Sequence, residues 1–409
     1  MRILFFSQYY FPETGATSNR VYSMAKTFQD EGHDVRVIAE KPNHPEGVFH
    51  KGYRKGVFID GEYNGVPVTW CWVKTGPDKG FLGRILFYIS YMVMAVGAVF
   101  RLKGRYDVVL ATSPPLFVGL SGWAAARIKR ARFVFDVRDL WPEVAVKMGE
   151  LNNPKAIRLA ESIERFLYRK ADLITVVTES FRESIIEKGI EGDRIEMVTN
   201  GTEPDAFYLN EKPEGLRQKW NLPSGFIVSF VGNLGLAQGL DHIIEAAQSL
   251  QNDAVEDVFF LFVGDGPRKA GLVEKVVLSR LRNVIFRDRV SLPEAVEYMN
   301  ASDLLLVSLA NDPIYNKFIP SKLFDAMAAS KPVLLSVDGE SRRILDESGG
   351  GIWYPAEDAS KLKEALLDLK NDAASCALMG QKGREFVKRH YTRRAQALKM
   401  LSMIDKRFM

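Results

Sequence analysis

The sequence predicts an α/β protein built from two Rossmann-like, doubly wound domains that face each other across a cleft. Short apolar runs rich in β-branched and aromatic residues alternate with helical patterns, which is typical of parallel sheets covered by helices. The chain has 409 residues, more than one domain usually contains. The alternation restarts in the second half, and each half carries a glycine-containing loop after its first strand, where ligands bind in such sheets.

The first domain is predicted over residues 1–203 and begins with a strand over residues 3–7, a loop to residue 16 and a helix. Apolar residues of that helix recur at the spacing of one buried face, at Val21, Met24, Ala25 and Phe28. Further strands are predicted over residues 35–39, 108–111, 133–137 and 173–177, and a helix over residues 155–169. Together these elements predict a parallel sheet.

The second domain is predicted over residues 204–382, after the turn dipeptide Asn200-Gly201 and a polar, proline-containing interval. A strand over residues 226–231, a helix over residues 240–250 and a strand over residues 258–263 open it. Further strands are predicted over residues 283–286, 304–308 and 333–337. A long basic helix over residues 383–405 follows, and we expect the segment 383–409 to pack back on the first domain.

Composition excludes several classes of protein. A net charge of +4 is too small to indicate a nucleic-acid partner, and two distant cysteines without a CxxC pattern indicate neither disulfides nor zinc. The five histidines have no metal-binding spacing, and the nucleophile elbow and the Walker A pattern are absent from the sequence. The first residues become polar too soon for a signal peptide, so we expect no export and a reducing cytoplasm.

The segment 317–332 contains the strongest candidate site. Pro320 and Ser321 indicate a helix start with Ser321 as the N-cap, and Lys322 adds a full positive charge where the helix N-terminus already favours a phosphate. Asp325 lies one turn further on, where its carboxylate is suited to a ribose diol. The alternative is an ordinary surface ion pair between Lys322 and Asp325.

Two glycine loops are candidate contacts for the donor. In the loop from Gly232 to Gly239, Asn233 and Gln238 are expected to donate hydrogen bonds to a diphosphate, and Gly15 holds the corresponding position in the first domain. The alternative is that these glycines serve turns that need positive φ. The sequence after residue 263 resembles a dinucleotide fingerprint only poorly, because its third glycine comes late and no acidic residue follows at the right distance.

Three charges lie at the end of the strand predicted over residues 133–137. Arg138 is suited to a phosphate or a sugar hydroxyl and Asp139 to orienting an acceptor hydroxyl, while Asp136 is the one we expect to be structural. The turn that begins at Thr112 follows a neighbouring strand, and we expect it either to shape the acceptor side or to act only as a rigid turn.

Residues 85–100 form an almost wholly apolar run between Arg84 and Arg101. It is shorter than the roughly 20 apolar residues of a spanning helix. Between residues 74 and 132, Lys and Arg outnumber Asp and Glu by ten to two. We therefore expect this run to contact an anionic membrane surface or to line a lipid groove, the alternative being a buried core helix.

Several short motifs fall in the order found in glycosyltransferase family 4. They are Gly32-His-Asp-Val35, Asn200-Gly201 ahead of Asp205 and Phe207, Gly264-Asp-Gly-Pro267, Ala301-Ser-Asp303 and Phe324-Asp-Ala-Met-Ala-Ala329 with Lys-Pro-Val333 after it. The chain therefore resembles that family over nearly its whole length. The resemblance implies the GT-B fold, a nucleotide-sugar donor and a retaining reaction that needs no metal.

The chain also departs from the family pattern. Two family glutamates are replaced by Lys317 and Asp325, and the loop cations of the family by Asn233 and Gln238. The resemblance assigns the ribose contact to Asp325, whereas the sugar contact does not carry over convincingly to Lys317, and Lys322 is the natural substitute for the missing cations. The loop Gly-Asn-x-Gly-x-x-Gln-Gly is similar to that of bacterial N-acetylfucosaminyl transferases.

Together, these features predict a transferase that moves a sugar, such as N-acetylfucosamine, from a UDP-sugar to an undecaprenyl-diphosphate-linked saccharide in O-antigen, capsule or exopolysaccharide synthesis. Lys322, Arg138 and Asp139 are the expected catalytic residues, and Arg289 is expected to frame the base. No cofactor is expected, and the expected location is the inner face of the plasma membrane. The alternatives are a non-catalytic nucleotide-sugar or lipid-diphosphate binding protein and, less favoured, an NAD-dependent oxidoreductase.

Overall fold

Two compact units make up the chain in a computed structural model that describes residues 1–13, 15–44, 46–76, 80–211 and 213–409. The first unit contains Met1–Asn200 together with Arg393–Met409, and the second contains Gly201–Thr392. The chain therefore leaves the first unit once and returns to it at residue 393.

The first unit is an α/β unit around one sheet. Its elements in chain order are β1 (Arg2–Phe6), α1 (Ala16–Asp30), β2 (Asp34–Glu40), β3 (Phe58–Tyr63), β4 (Val66–Cys71), α2 (Phe81–Arg101), β5 (Val108–Ser113), α3 (Leu116–Lys129), β6 (Arg132–Val137), α4 (Glu143–Lys147), α5 (Pro154–Lys170), β7 (Leu173–Val176), α6 (Glu179–Glu187) and β8 (Ile195–Met197). The strand order is β3-β4-β2-β1-β5-β6-β7-β8. All neighbours pair in parallel except β3 and β4.

The hairpin of β3 and β4 is an element that the sequence patterns did not predict. Its strands are joined at Asn64 and Gly65, which both have positive φ (48° and 80°), as a two-residue hairpin turn requires. The exposed residues of β3 at the sheet edge weaken its apolar signal. By contrast, the four residues predicted as the buried face of α1 are all within 3% of full burial and pack in the core, which confirms that prediction.

The second unit is built from a parallel sheet with helices on both faces. Its elements are α7 (Pro213–Lys219), β9 (Phe226–Val231), α8 (Asp241–Asn252), β10 (Val258–Val263), α9 (Lys269–Leu278), β11 (Val284–Arg287), α10 (Leu292–Ala301), β12 (Leu304–Val307), α11 (Ser321–Ala328), β13 (Val333–Leu335), α12 (Glu340–Ser348), β14 (Gly351–Trp353), α13 (Ala359–Lys370) and α14 (Ala373–His390). The strand order is β11-β10-β9-β12-β13-β14.

Strand β12 shows how both faces of this sheet are covered. Leu304 and Leu306 enter one core cluster, whereas Leu305 and Val307 enter the other. Alternate side chains of a strand point to opposite faces, so a wholly apolar strand indicates burial on both sides. The bounds predicted for β9 and β10 match the structure, and those of β11, β12 and β13 differ from the prediction by one or two residues.

The helix predicted over residues 383–405 is divided, and that prediction is wrong. α14 ends at His390 and a separate helix, α15 (Arg393–Phe408), follows. Thr392 lies outside both helices and pairs with Thr202 in an isolated bridge. α14 packs within the second unit, while α15 places Ala397, Met400 and Ile404 in the core of the first unit beside α1.

Candidate functional site

The carboxyl ends of β9 and β10 carry two glycine loops packed against each other. Gly232 and Gly264 follow these strands with φ of 139° and 147°, in the region that favours glycine. A Cβ at Gly264 would collide with the backbone oxygen of Gly232, and one at Gly266 with that of Leu234. The glycines after β10 therefore serve close packing of the two loops.

The side chain of Lys322, from α11, lies against the first of these loops at Gly232. Its Nζ is buried without a hydrogen-bond partner among the described residues, and it lies 4.2 Å from the centroid of the Phe230 ring. A Cβ on Gly232 would collide with this Nζ, so the missing side chain at Gly232 makes room for the ammonium group. Burial lowers the pKa of Lys322 to about 8, against the opposing effect of Asp325, so it remains a cation at neutral pH.

Asp325 shares a cavity with Lys322, although the two do not form the hydrogen-bonded ion pair of the alternative interpretation. Both line a cavity of about 220 Å³ together with residues of β9, α10 and β12. The Thr202 hydroxyl donates to Oδ1 of Asp325 at 2.6 Å, which fixes one carboxylate oxygen. The structure thus places a buried cation and an oriented carboxylate on one helix, one turn apart.

Ser321 does not occupy the predicted N-cap position. α11 begins at Ser321 itself, Pro320 is the N-cap, and no side chain makes a capping hydrogen bond. Proline at this place fixes the backbone before the helix but contributes no side-chain acceptor to it. Ser321 is therefore the first helical residue, and only its backbone N–H remains among the groups expected to meet a phosphate.

The other side chains predicted to contact the donor, those of Asn233, Gln238 and Arg289, differ in their exposure and hydrogen bonding. Asn233 is exposed in the first glycine loop, whereas Oε1 of Gln238 accepts from the N–H of Gly235 at 3.0 Å and so braces the loop itself. Arg289 is exposed in the segment between β11 and α10. Asn233, Gln238 and Arg289 are not among the residues that line the cavity shared by Lys322 and Asp325.

His242 supports the same loop, and its role was missed in the sequence, where it was considered only as a metal ligand. One ring nitrogen, Nδ1, contacts the backbone oxygen of Gly239 at 2.6 Å and the other, Nε2, contacts the Tyr354 hydroxyl at 2.9 Å. Gly239 has φ 57°, and a Cβ there would collide with the backbone of Ala310. Burial lowers the pKa of His242, which favours the neutral ring.

In the first unit, Arg138 lies at the beginning of α1. It follows the last residue of β6, and its Nη1 donates to the Thr17 hydroxyl in the first turn of α1 at 2.6 Å. The Nε of Arg138 is buried without a hydrogen-bond partner in the described part of the chain. Gly15 precedes the helix with an extended φ of 170°, and a Cβ there would meet no described atom within 4 Å. A guanidinium and a helix N-terminus therefore create positive potential together.

Asp139 is a carboxyl whose burial shifts its protonation towards neutral pH. Burial raises the pKa of this carboxyl to about 6, and the neighbouring Arg138 partly opposes the shift. The carboxyl is therefore ionised for the most part at pH 7 and protonated for the most part at pH 5. A group that changes charge in this range is suited to orient a hydroxyl or accept its proton.

Asp136 is structural, as the sequence analysis expected. It is fully buried and pairs with Arg20 of α1 at 2.9 Å, while the hydroxyls of Thr112 and Thr175 donate to its two oxygens at 2.8 Å each. Arg20 also donates to the backbone oxygens of Val198 and Thr199 at 2.9 and 3.0 Å. Thr112 therefore helps to hold the ends of β5, β6 and β7 together.

Helix α2 has one buried face and one exposed apolar face. Tyr91 and Ala95 are fully buried, and the Tyr91 hydroxyl donates to the backbone oxygen of Ile38 at 2.9 Å. Its residues Leu82–Arg101 are long and apolar enough to cross a membrane by length and composition, with a mean hydropathy of 1.7 and 28% of the most apolar window buried. One such helix is weak support for a span, because a core helix of a soluble protein passes the same test.

Comparison with known proteins finds one family match in each unit. The family described as Glycosyl transferase 4-like domain matches residues 15–201, and the family Glycosyl transferases group 1 matches residues 214–386. WcaI of Escherichia coli K12, assigned as a glycosyl transferase of colanic acid biosynthesis, is 26% identical over 83% of this chain and 84% of its own. WbjE of Pseudomonas aeruginosa, assigned as a glycosyltransferase, is 27% identical over 64% of this chain and 66% of its own.

Solved structures agree with the fold. HepE of Anabaena in complex with UDP superposes with a TM-score of 0.74 at 16% identity, covering 99% of this chain and 100% of that one. This confirms the predicted GT-B type of fold with two Rossmann-like domains. Among the described residues there is no group of three or more His, Cys, Asp or Glu side chains that could hold a metal ion.

Proposed function

We propose a specific reaction for this chain, which belongs to the glycosyltransferases of the family 4 type. The chain transfers a sugar from a UDP-sugar to a lipid-diphosphate-linked saccharide in the synthesis of a surface polysaccharide. Its relative WcaI is assigned to the synthesis of colanic acid, and its structural neighbour HepE binds UDP. The observation that carries the proposal is the buried ammonium of Lys322 at the loop after β9, which contacts the Phe230 ring and has no hydrogen-bond partner within the part of the chain that the structure describes.

The proposed role of Lys322 follows from the charge that moves in the reaction. The bond between the anomeric carbon and a phosphate oxygen breaks, so that positive charge develops on the sugar and negative charge on the leaving diphosphate. A preorganised cation at that position stabilises the transition state more than the ground state. The N-terminal N–H groups of α11 add to this potential, and the Asp325 carboxylate accepts from the ribose hydroxyls.

The residues proposed to bind the acceptor lie in the first unit. Arg138 beside the N-terminus of α1 is suited to a phosphate or a sugar hydroxyl, and Asp139 to orienting the attacking hydroxyl of the acceptor. We propose a retaining reaction that needs no metal, in which the acceptor proton passes to an oxygen of the leaving phosphate. The further donor contacts proposed are Gly15, Asn233, Gln238, Arg289 and the backbone of Ser321.

The donor sugar is proposed to be an N-acetyl amino sugar such as N-acetylfucosamine. This follows from the loop from Gly232 to Gly239, which is similar to that of the N-acetylfucosaminyl transferases and has neutral amides in place of cations. We also propose that the protein acts in the cytoplasm at the inner face of the plasma membrane, attached through residues 85–100 to anionic lipid. The exposed apolar face of α2 supports this attachment.

The test is a panel of nucleotide sugars assayed for release of UDP, with and without a lipid-diphosphate-linked saccharide. Acceptor-dependent release with one UDP-sugar, and a labelled saccharide among the products, is expected. Nuclear magnetic resonance of the product then reports whether the anomeric configuration of the donor is retained. Tight nucleotide-sugar binding without acceptor-dependent release would instead favour the non-catalytic binding protein.

A further inference from the structure

The first unit contains an apolar cavity that the proposed chemistry does not use. It has a volume of about 230 Å³ and lies between α2, α3, α4 and α5, with Ile85, Tyr88, Phe117, Trp141 and Ala160 among its lining residues. For comparison, an apolar protein cavity of about 150 Å³ is large enough to bind benzene. The cavity thus has room for a stretch of hydrocarbon, but not for a helix, which is about 10 Å wide.

The cavity lies at the edge of the sheet where Arg138 and Asp139 are found. Trp141 comes two residues after Asp139 and donates its backbone N–H to the oxygen of Asp139 at 3.0 Å. Leu116, another lining residue, begins α3 immediately after the loop that follows β5. A ligand in the cavity would therefore be close to the residues proposed to hold the acceptor.

An exposed apolar stripe on α2 extends from the same region. Leu82, Leu86, Val93 and Phe100 are exposed to 73, 44, 58 and 73%. Steps of four, seven and seven residues keep them within about 40° of one another around a helix of 3.6 residues per turn. Leu159 of α5 lines the cavity and is itself 63% exposed, so the cavity has apolar surface at its margin.

Charge at the margin of the cavity adds a further feature. Arg84 and Glu150 both line it and form an ion pair at 3.2 Å, with side chains 39 and 49% exposed. An exposed pair of this kind contributes little to stability, so the guanidinium can exchange its partner for a phosphate at small cost. A ligand with a long apolar chain and an anionic head matches this arrangement.

We propose that this cavity binds the hydrocarbon chain of the acceptor lipid, a polyprenyl-type chain attached through a phosphate, with the chain continuing along the α2 stripe. The proposal rests on the proposed function for the identity of the lipid. The apolar lining and the continuity with the α2 stripe recognise the chain. The position beside Asp139 places the phosphate-linked saccharide at the carboxyl ends of β5 and β6.

The experiment measures binding without turnover. Farnesyl phosphate is titrated below its aggregation concentration while the fluorescence of Trp141 is followed, with dimethylallyl phosphate as a short-chain ligand bearing the same head group. A saturable change is expected with farnesyl phosphate alone, and Trp141→Phe is expected to remove it. A change of equal size and midpoint with both ligands, or no saturable change, would overturn the proposal.

Two matched variants separate the cavity from the surface. Ala160→Phe adds a ring inside the cavity, and Ser162→Phe adds the same ring on the exposed side of the same helix. We expect Ala160→Phe to weaken farnesyl phosphate binding about tenfold, comparable to withdrawing roughly two methylene groups from an apolar site. Ser162→Phe should bind like the unchanged protein, and equal affinity in all three would overturn the proposal.

Thermal unfolding checks that each variant folds. If Ala160→Phe does not fold, Leu159→Ala tests the cavity instead, because it removes exposed apolar surface and adds no bulk. Weaker binding of farnesyl phosphate is expected for Leu159→Ala, and unchanged affinity would count against the cavity. If farnesyl phosphate binds as expected while no UDP-sugar supports transfer, the proposed function fails and the cavity proposal stands. Binding of lipid vesicles without binding of farnesyl phosphate would assign the apolar surface to the membrane alone.

Discussion

The ammonium of Lys322 lies 4.2 Å from the centroid of the Phe230 ring, with its Nζ buried and without a hydrogen-bond partner among the described residues. Burying a charge without a partner is unfavourable, and attraction to the face of an aromatic ring offsets only part of that penalty. The lowered pKa of Lys322, about 8, expresses the same imbalance. An anion beside Nζ would offset this penalty, as the proposed function requires of the leaving diphosphate.

The first prediction concerns catalysis. Lys322→Ala should lower kcat by about 10²- to 10³-fold, because it removes an aimed charge worth about 2.7–4 kcal/mol in a site shielded from water. Ser321→Ala should change the activation free energy by about 0.5 kcal/mol or less, since its side chain makes no capping bond. Steady-state rates of both variants, with circular dichroism to confirm folding, provide the measurement. Small and equal losses would refute the role of Lys322.

The second prediction concerns stability and pH. Because the pKa of Lys322 is lower in the folded protein than in the unfolded chain, the unfolded state binds more protons between about pH 8 and pH 10.5. Lys322→Met should therefore be more stable than the unchanged protein at pH 7, and its advantage should shrink as the pH rises through this window. Urea unfolding of both proteins at pH 7 and pH 10 tests it, and a constant difference would contradict it.

The third prediction addresses the space that Gly232 leaves for Lys322. Gly232→Ala should reduce activity as strongly as Lys322→Ala and also destabilise the protein, because a Cβ there would collide with Nζ and φ is 139°. Gly271→Ala is the control, since a Cβ within α9 would meet only Arg268 at 4.0 Å. That control should gain up to about 1 kcal/mol of unfolding free energy and keep full activity. Assays and thermal melts of the pair provide the comparison.

The fourth prediction uses the carboxyl of Asp139. If its ionised form orients the acceptor hydroxyl, kcat/KM should rise with pH through the pKa of about 6 and level off above it. Asp139→Asn should lower the plateau and remove that inflection, with KM for the donor unchanged. The measurement is a pH profile from 5 to 8 at subsaturating acceptor. An inflection near pH 6 that persists in Asp139→Asn would assign it to another group.

The fifth prediction separates structural from functional charge in the first unit. Arg20→Met should lower the unfolding free energy by about 3–5 kcal/mol, because it leaves the buried Asp136 carboxylate without its cation. Arg36→Met, which removes a partly exposed ion pair with Asp60 at 3.6 Å, should cost about 1 kcal/mol or less. Denaturant unfolding measures the loss of unfolding free energy in both variants. Similar losses would show that the buried Arg20–Asp136 pair contributes no more than an exposed one.

Membrane attachment can be tested through the α2 stripe. Leu82→Ser combined with Phe100→Ser should reduce flotation with vesicles containing anionic lipid, because the double variant removes two exposed apolar side chains of the stripe. Both side chains are 73% exposed, so the variant is expected to fold. Val277→Ser, at a position 67% exposed in the second unit, is the matched control. Flotation at low and high salt distinguishes electrostatic from apolar binding. Equal flotation of all three proteins would remove α2 from the membrane contact.

Most of the fold followed from periodicity. Strands buried on both faces, such as β9 and β10, produce continuous apolar runs that end at turn residues. The bounds of β9 and β10 were therefore predicted to the residue. The edge strand β3 was not predicted, because its exposed residues form no apolar run. Its neighbour β4 is buried and was missed as well, and Pro67 within its short run weakens the strand signal. The break between α14 and α15 coincides with pairing of Thr392 with Thr202, a residue distant in sequence, which no local pattern reveals.

The site was predictable in chemistry more than in geometry. A strand followed by glycine, and a short helix with Lys322 and Asp325, indicated a phosphate site from residue types alone. That the Lys322 ammonium sits over Phe230 in space left by Gly232 depends on tertiary packing between residues 90 positions apart. His242 was missed for the same reason, since its partners Gly239 and Tyr354 come from separate segments.

The order of the two units along the chain has a consequence for synthesis on the ribosome. α1 is translated before the second unit, whereas the helix that covers it, α15, is translated only after the entire second unit. Domains generally fold as they emerge from the ribosome. The apolar face of α1 therefore stays uncovered while the second unit is translated and folds. A nascent chain stalled before Arg393 would present that face to chaperones, and its release would depend on translation of α15.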